Sequence, residues 1–361
     1  MSNYRVISAD NHVFEPPDLW TSRAESKFKE RAPRVESLDA GDFWFCDGNR
    51  VLGVEGNARE APRSEEVRLG GYIPEEHAKD MDLDGVDVNL VYPTISLFLY
   101  SGPDSDLLTS NIRSYNDWVG EFCNAIPSRL KGICMLNVDD VGEGVQELER
   151  CAKMGFVGAL ITVYPVEGRS YDKPEYEPLW DAAEDLGIPL SMHIGTNRAG
   201  PGQQWMDLES TRPSFACNGD YWVRISLADM ILDGVFARHP KLQVGSIEHE
   251  LAWAPHFLNR IDFHYKEDPE MYVGGFRFKD GAVPSDFFHS NVFLGFQEDA
   301  KGVQDRHIIG VDQLQWGSDY PHSAGTFPSS REVLDQILAE CTDEEKAKIL
   351  GGNAARVYRL D

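Results

Sequence analysis

The stretch LWDAAEDLGIPLSMHIG at residues 179–195 contains the unit from which the fold is deduced. Its pattern predicts an amphipathic helix through Trp180–Leu186. The short apolar run Ile188–Met192 that follows is typical of a parallel strand buried on both faces. His193 comes directly after this run. The stretch therefore predicts a helix, then a buried strand, then a polar residue at the carboxyl end of the strand.

The same unit recurs along the whole chain, and its repetition indicates the architecture. Helical patterns cover Tyr115–Ala125, Val141–Met154 and Ile225–Ala237. Eight strands that alternate with helices predict an α/β fold, a TIM-type (β/α)8 barrel formed by one domain over residues 1–361. A doubly wound open sheet is the alternative, but the sequence contains no glycine-rich nucleotide-binding turn of the G-x-G-x-x-G or G-x-x-x-x-G-K-[ST] type. The predicted strands are Arg5–Ala9, Val88–Tyr92, Gly132–Leu136, Ala159–Val163, Ile188–Met192, Leu242–Ile247, Val292–Phe296 and Leu314–Gly317.

Two long segments interrupt this repeat, after the first and the fifth strand. Trp20–Gly71 is rich in Glu, Arg and Gly and has little helical periodicity, and Gly195–Tyr221 is similarly irregular. Loops of this length in a compact domain are usually functional or disordered. Their aromatic residues favour ordered lids over the barrel.

The charge balance limits the partners. The 361 residues contain 34 Lys and Arg against 60 Asp and Glu, which gives a net charge of −26. Such a surface argues against nucleic acid and against anionic membranes, since both require positive charge. We expect a small-molecule substrate and, as the commonest assembly, a homodimer.

The remaining composition indicates a cytoplasmic protein. The six cysteines are scattered without a C-x-x-C pair, which favours reduced thiols. The segment MSNYRVISAD lacks the apolar core of a signal peptide, and no run of about 18 apolar residues predicts a membrane span.

The ends of four predicted strands carry polar side chains that suit a cation. Asp10 and His12 close the first strand and share a face, because strand residues two apart point the same way. His193 closes the fifth strand and Asp319 follows the eighth. Carboxyl ends of barrel strands meet at one mouth, so these residues are expected to converge. Two oxygen and two nitrogen donors suit one divalent ion such as Zn²⁺, Mn²⁺ or Fe²⁺.

Each of these residues also has a local explanation. Asp10 and His12 could form an Asx turn beside a surface histidine. His193 could be a hydrogen-bonded structural histidine, and Asp319 could cap the next turn. The coincidence of all four at strand ends favours the cation site.

Six ordered stretches of the chain resemble the amidohydrolase superfamily, in the branch that includes aminocarboxymuconate-semialdehyde decarboxylase and γ-resorcylate decarboxylase. The resemblance implies a single distorted barrel with a divalent metal at its mouth. The family's first-strand metal pair falls on Asp10 and His12, its fifth-strand histidine on His193 and its eighth-strand aspartate on Asp319. The carboxylated lysine that bridges two metals in some members is absent, because the fourth strand ends Thr162-Val163-Tyr164. The matching stretches are ISADNHVFEP (7–16), MDLDGVDVNLVYPT (81–94), LWDAAEDLGIPLSMHIG (179–195), LADMILDGVFARHPKLQVGSIEHELAWAPHFLNRID (227–262), WGSDYPH (316–322) and GGNAARVY (351–358).

The sixth strand departs from the decarboxylases of this branch. They carry a histidine there, whereas ungapped alignment from Lys241 places Glu248 at that position. Strand alternation then turns His249 away from the metal. If Glu248 faces the metal, it is expected to be a fifth ligand, a bridge to a second metal or a general base. The alternative is a carboxylate that holds a ligand histidine or a nearby arginine.

Three further residues are predicted to contact substrate. They are His322, just past Asp319, and two aromatic residues, Trp253 and Tyr92. A backbone hydrogen bond for His322 and core packing for Trp253 and Tyr92 are the alternatives.

The resemblance leaves three functions. The first is hydrolysis of a small carbonyl compound (ester, amide, lactone, thioester or C–C bond) by metal-activated water, with Asp319 and Glu248 as catalytic groups beside the ligand His193. The second is nonoxidative decarboxylation of a hydroxylated aromatic or enol-like acid, with Asp319 as the proton donor. The third is a non-catalytic metal-binding barrel. The missing sixth-strand histidine favours hydrolysis, so the sequence predicts a hydrolase.

Overall fold

Eight parallel strands form the centre of the computed structural model, which describes residues 5–56, 59–198, 214, 217–267 and 277–360. Their order around the sheet is their order along the chain, and every neighbouring pair is parallel. The predicted α/β barrel is therefore confirmed. The strands, in chain order and including a separate three-stranded sheet, are β1 (Ile7–His12), β2 (Arg34–Leu38), β3 (Gly41–Cys46), β4 (Asn49–Gly53), β5 (Val88–Tyr92), β6 (Leu130–Met135), β7 (Gly158–Ile161), β8 (Leu190–His193), β9 (Val244–Ile247), β10 (Val292–Phe296) and β11 (Leu314–Trp316).

The barrel closes between β1 and the residues that follow β11. The amide of His12 donates to the carbonyl of Tyr320 (2.6 Å), and the amide of Asp319 donates to the carbonyl of Asp10 (2.9 Å). Ser318 reinforces this seam, since its hydroxyl donates to the Asn11 side chain at 2.7 Å. The seam therefore places the first and last strand ends side by side.

Helices lie between most of the strands and cover the barrel. Asp140 caps one of them, because its carboxylate accepts from the Glu143 amide at 3.0 Å, and Gly155 ends that helix in the left-handed conformation. The α-helices of the described residues are Leu19–Arg23, Pro74–Asp84, Ile95–Leu99, Ser105–Ala125, Val141–Met154, Glu177–Leu186, Tyr221–Leu232, Val235–Arg238, Ala254–Glu267, Pro284–Asn291, Ala300–Gln304, Arg306–Ile309, Ser330–Ile337, Asp343–Ala347 and Asn353–Val357. None of these helices is long and apolar enough to cross a bilayer.

Strands with continuous apolar sequence lie where they were predicted. Val88–Tyr92 and Val292–Phe296 match the structure at both ends. The first strand is the largest difference, because it runs to His12 rather than ending at Ala9. Asp10 and His12 are buried on this strand, and its register with β5 is irregular between Ser8 and Asn11. An apolar pattern cannot locate the end of a strand when that end consists of polar residues.

The first long segment contains regular structure that its composition did not predict. Within 20–71, strands β2, β3 and β4 form an antiparallel sheet. Buried aromatic residues anchor it, since the rings of Trp44 and Trp20 pack edge to face with centroids 5.1 Å apart. For the second segment, residues 199–213 and 215–216 lie outside the described residues, so its prediction as a lid stays a prediction.

His77 connects the helix Pro74–Asp84 to the barrel in a neutral form. Its Nδ1 donates to the carbonyl of Gly70 (2.8 Å), and its Nε2 accepts from the Asn89 side-chain amide (2.9 Å). Burial lowers the pKa of His77 to about 4. Protonation would place a charge in the core and break the bond with Asn89.

We predict that His77 destabilises the fold as the pH falls. Its folded-state pKa is below the unfolded value, so its contribution is present above about pH 6.5 and is lost towards pH 4. Between pH 7 and pH 5 the free energy of unfolding should fall by about 2 kcal/mol more in the wild type than in His77→Gln. Denaturant unfolding at both pH values measures this difference. Equal losses in both proteins would contradict the prediction.

Candidate metal centre

The four side chains predicted as metal ligands meet at one mouth of the barrel. Asp10 and His12 lie on β1, His193 ends β8, and Asp319 follows β11. The Nε2 atom of His12 lies 3.4 Å from Asp10 Oδ1 and 3.2 Å from Asp319 Oδ1. The Nε2 atom of His193 lies 3.4 Å from the same Asp10 oxygen. Asp10, His12 and His193 therefore converge as expected, and Asp319 joins them through its contact with His12, whereas their role as metal ligands stays a prediction.

The donor atoms at this point fit a divalent cation. Both carboxylate oxygens of Asp10 and the Nε2 atoms of His12 and His193 are buried without a hydrogen-bond partner. Buried polar atoms are costly unless they are paired. Two ligand atoms about 2.1 Å from one ion, at angles of about 100–110°, lie about 3.2–3.4 Å apart, which matches these separations. The site can hold a single divalent metal ion.

Backbone carbonyls orient both histidines towards the centre. His12 Nδ1 donates to the carbonyl of Pro93 (2.6 Å), and His193 Nδ1 donates to the carbonyl of Ile194 (2.9 Å). A carbonyl can only accept, so Nδ1 carries the proton and Nε2 presents its lone pair to the site. The sequence did not identify Pro93, although it directly follows a predicted strand.

Burial and charge set the protonation states of these ligands. Burial alone would raise the pKa of Asp10, but His193 and His12 outweigh it, and the net pKa is lowered. Burial lowers the pKa of His12, assisted by the neighbouring His322. Burial also opposes a charge on His193, yet the Asp10 carboxylate leaves the pKa of His193 raised. An ionised Asp10 beside a neutral His12 suits a metal ion, because each ligand atom must present a lone pair to the ion.

Asp319 is held by a chain of polar contacts that leads to the surface. His322 Nδ1 contacts Asp319 Oδ1 at 2.7 Å, and His322 Nε2 contacts the Thr94 hydroxyl at 2.9 Å. The side chain of His322 is 20% exposed, whereas that of Asp319 is 2% exposed. Asp319 has φ 56°, a left-handed conformation that a non-glycine residue adopts at some cost. The sequence analysis did not identify Thr94, although it lies two residues after the end of β5.

Glu15 fixes the loop that supports both contacts. Its carboxylate accepts from the amides of Ile95 and Ser96, both at 3.0 Å, and from the Ser96 hydroxyl at 2.8 Å. These bonds hold the turn that carries Pro93 and Thr94. No sequence pattern indicates this role, since a single glutamate after the first strand is unremarkable by itself.

The end of β9 separates Glu248 from His249. Glu248 Oε2 lies 3.4 Å from His193 Nε2, whereas His249 Nδ1 contacts the Ser246 hydroxyl at 3.1 Å. Alternation predicted this separation, but the strand ends at Ile247 and Glu248 has φ 61°. The left-handed turn, not strand alternation, therefore sets the position of Glu248. A bridge from Glu248 to a second metal stays a prediction.

The three predicted substrate contacts lie at different distances from the centre. His322 belongs to it, with its ring centroid 4.2 Å from that of His12. Tyr92 lies inside the barrel, where its hydroxyl contacts those of Ser191 (2.8 Å) and Tyr358 (3.3 Å). Trp253 donates to the carbonyl of Glu250 and packs on Phe257. Substrate contact by these residues stays a prediction.

Comparison with known proteins identifies the family to which the chain is similar. A family model described as amidohydrolase matches residues 67–360. The chain is 26% identical over 339 residues to γ-resorcylate decarboxylase of Rhizobium radiobacter, covering 89% of this chain and 92% of that protein. It is 25% identical over 313 residues to 2-amino-3-carboxymuconate-6-semialdehyde decarboxylase of Dictyostelium discoideum, covering 82% and 79%.

A solved structure supports the fold. The 5-carboxyvanillate decarboxylase of Novosphingobium aromaticivorans, in complex with manganese and 4-hydroxy-3-methoxy-5-nitrobenzoic acid, superposes with a TM-score of 0.71. It is 18% identical and the match covers 99% of this chain and 97% of that one.

The hydrolysis predicted from the sequence is wrong. Its main support was the missing sixth-strand histidine, yet the two relatives named above, which match this chain over 89% and 82% of its length, are decarboxylases. The prediction relied on one position, where Glu248 replaces a histidine. Similarity over most of the chain is the stronger evidence about the reaction.

We predict that a divalent cation stabilises the protein through Asp10. Mn²⁺ at about 100 times its Kd should contribute about 2.7 kcal/mol, which raises the melting temperature by about 3–5 °C. Asp10→Asn should abolish this shift because it removes a charged oxygen that faces both histidines. Thermal melts with and without Mn²⁺ measure it, and Asp312→Asn, an exposed carboxylate, is the control. An undiminished shift in Asp10→Asn would be inconsistent with the site.

Proposed function

The chain belongs to the amidohydrolase family, and we propose that this enzyme is a metal-dependent nonoxidative decarboxylase of a hydroxylated aromatic acid. The observation that carries the proposal is the match to γ-resorcylate decarboxylase over 89% of this chain and 92% of that protein. The geometry supports it, because the buried Asp319 carboxylate contacts both His12 and the more exposed His322.

The ligand cluster supplies the binding half of the reaction. Asp10, His12, His193 and Asp319 would hold the cation. When bound, the cation would neutralise the negative charge of a substrate carboxylate and attract the oxygen of the hydroxyl group next to it on the ring. The Nδ1 atoms of His12 and His193 donate to backbone carbonyls, and this keeps the Nε2 lone pairs of both rings directed at the cation site. This requirement for adjacent groups makes an ortho-hydroxybenzoate the expected substrate class.

Asp319 supplies the proton. In its acid form it protonates the ring carbon that bears the carboxylate. The bond between that carbon and the carboxyl carbon then breaks, its electron pair restores the aromatic ring, and CO₂ leaves. The contact between His322 Nδ1 and Asp319 Oδ1 offers the path by which the proton returns, since His322 is the more exposed member.

We predict that the metal-loaded protein releases CO₂ from 2,6-dihydroxybenzoate and related ortho-hydroxybenzoates. The isomer 3,5-dihydroxybenzoate, which lacks an ortho-hydroxyl, should react at least about 100-fold more slowly, because it cannot present both groups to the cation. Carbon dioxide release measured on both isomers tests this. No release from any ortho-hydroxybenzoate, or equal release from the two isomers, would refute the proposed function.

Asp319→Asn should lower kcat by at least about 100-fold, since general acids contribute about 10²–10⁴-fold. The same preparations are analysed for bound Mn²⁺, so that loss of proton transfer is distinguished from loss of metal. Asp312→Asn, far more exposed, is the matched control. A variant Asp319→Asn that binds metal and retains full turnover would eliminate Asp319 as the proton donor.

A further inference from the structure

The carboxylate of Glu248 lies among the ligand atoms rather than beside them. The donor atoms of Asp10, His12, His193 and Glu248 all lie within 4.8 Å of one another. Glu248 Oε2 is 3.4 Å from His193 Nε2, the same separation that joins His193 to Asp10. The distance from Glu248 to His193 therefore equals the distance between the predicted ligands Asp10 and His193.

The contact between Glu248 and His193 joins two hydrogen-bond acceptors. His193 Nδ1 donates to the carbonyl of Ile194, which leaves a lone pair on Nε2. A lone pair that faces a carboxylate oxygen requires a positive charge between them. A proton on Nε2 would serve one oxygen, but Glu248 and Asp10 both approach this nitrogen at 3.4 Å, longer than an ordinary hydrogen bond. A shared cation satisfies both oxygens.

The backbone turns Glu248 into the site at a cost. Its φ of 61° lies in the left-handed region, which glutamate rarely adopts. Strain of this kind is typical of residues that are held in place for a function. The side chain of Glu248 is 27% exposed, whereas His193 is fully buried, so this carboxylate forms the solvent side of the cluster.

We propose that Glu248 is a direct ligand of the cation, in addition to Asp10, His12, His193 and Asp319. Three carboxylate oxygens and two imidazole nitrogens favour a hard, high-coordination ion such as Mn²⁺ over tetrahedral Zn²⁺. The proposal rests on the cation site of the proposed function but not on decarboxylation.

The experiment compares Mn²⁺ affinity in variants of two similar glutamates. Glu250 is two residues away and also left-handed, with φ 56°, but its carboxylate accepts from the Gln297 amide instead of facing His193. Glu248→Asn tolerates the left-handed turn and lacks the reach of glutamate. Glu248→Gln keeps the length, and Glu250→Asn is the matched control. Calorimetric titration with Mn²⁺ gives the affinity, and circular dichroism verifies folding.

Loss of Glu248 should weaken Mn²⁺ binding by more than about 100-fold, because residues that only support a ligand cost about 10–100-fold. Glu250→Asn should stay within about threefold of the wild type. Losses below about 100-fold in both Glu248 variants would overturn the proposal of a direct ligand. Decarboxylation is assayed separately: Mn²⁺ affinity that depends on Glu248 without CO₂ release would reject only the proposed function, and the converse result would reject only the ligand.

Discussion

The closure of the barrel is the constraint on which the site depends. Two backbone hydrogen bonds, from His12 to Tyr320 and from Asp319 to Asp10, join the first strand to the segment after the last one. Residues more than 300 positions apart thereby become neighbours, and Ser318 strengthens the join through Asn11. Because the seam places two carboxylates and an imidazole in a buried mouth, a positive charge is favoured there. The fold thus creates a site that can hold a cation.

The surroundings of the mouth orient the side chains that face it. Carbonyl groups of Pro93 and Ile194 fix the histidine tautomers, and the buried carboxylate of Glu15 secures the turn that carries Pro93. Asp319 and Glu248 adopt left-handed backbone conformations, which cost free energy at both positions. Such costs are repaid when a bound ion pairs with the atoms that the protein leaves unpaired.

Much of this could be predicted from the sequence, because buried parallel strands have a distinctive apolar pattern. Val88–Tyr92 and Val292–Phe296 were located at both ends, and Asp10, His12, His193 and Asp319 were placed at one mouth. Polar strand ends and turns were not predictable. The first strand was cut short at Ala9, and the sheet of β2, β3 and β4 was missed because its composition resembles that of a loop. Thr94 and Glu15 act through contacts between distant segments, which no local pattern shows. The prediction of hydrolysis is wrong because it depends on one residue, Glu248, whereas similarity over 89% of the chain points to a decarboxylase.

The central claim is that one cation joins residues from the first, fifth and eighth barrel strands. The most direct test is a crystal structure of the Mn²⁺-loaded protein with anomalous diffraction measured at the manganese edge. The account predicts one anomalous peak at the barrel mouth, within about 2.3 Å of donor atoms of Asp10, His12, His193 and Asp319. A peak bound elsewhere, or a mouth without a peak in saturating Mn²⁺, would contradict it.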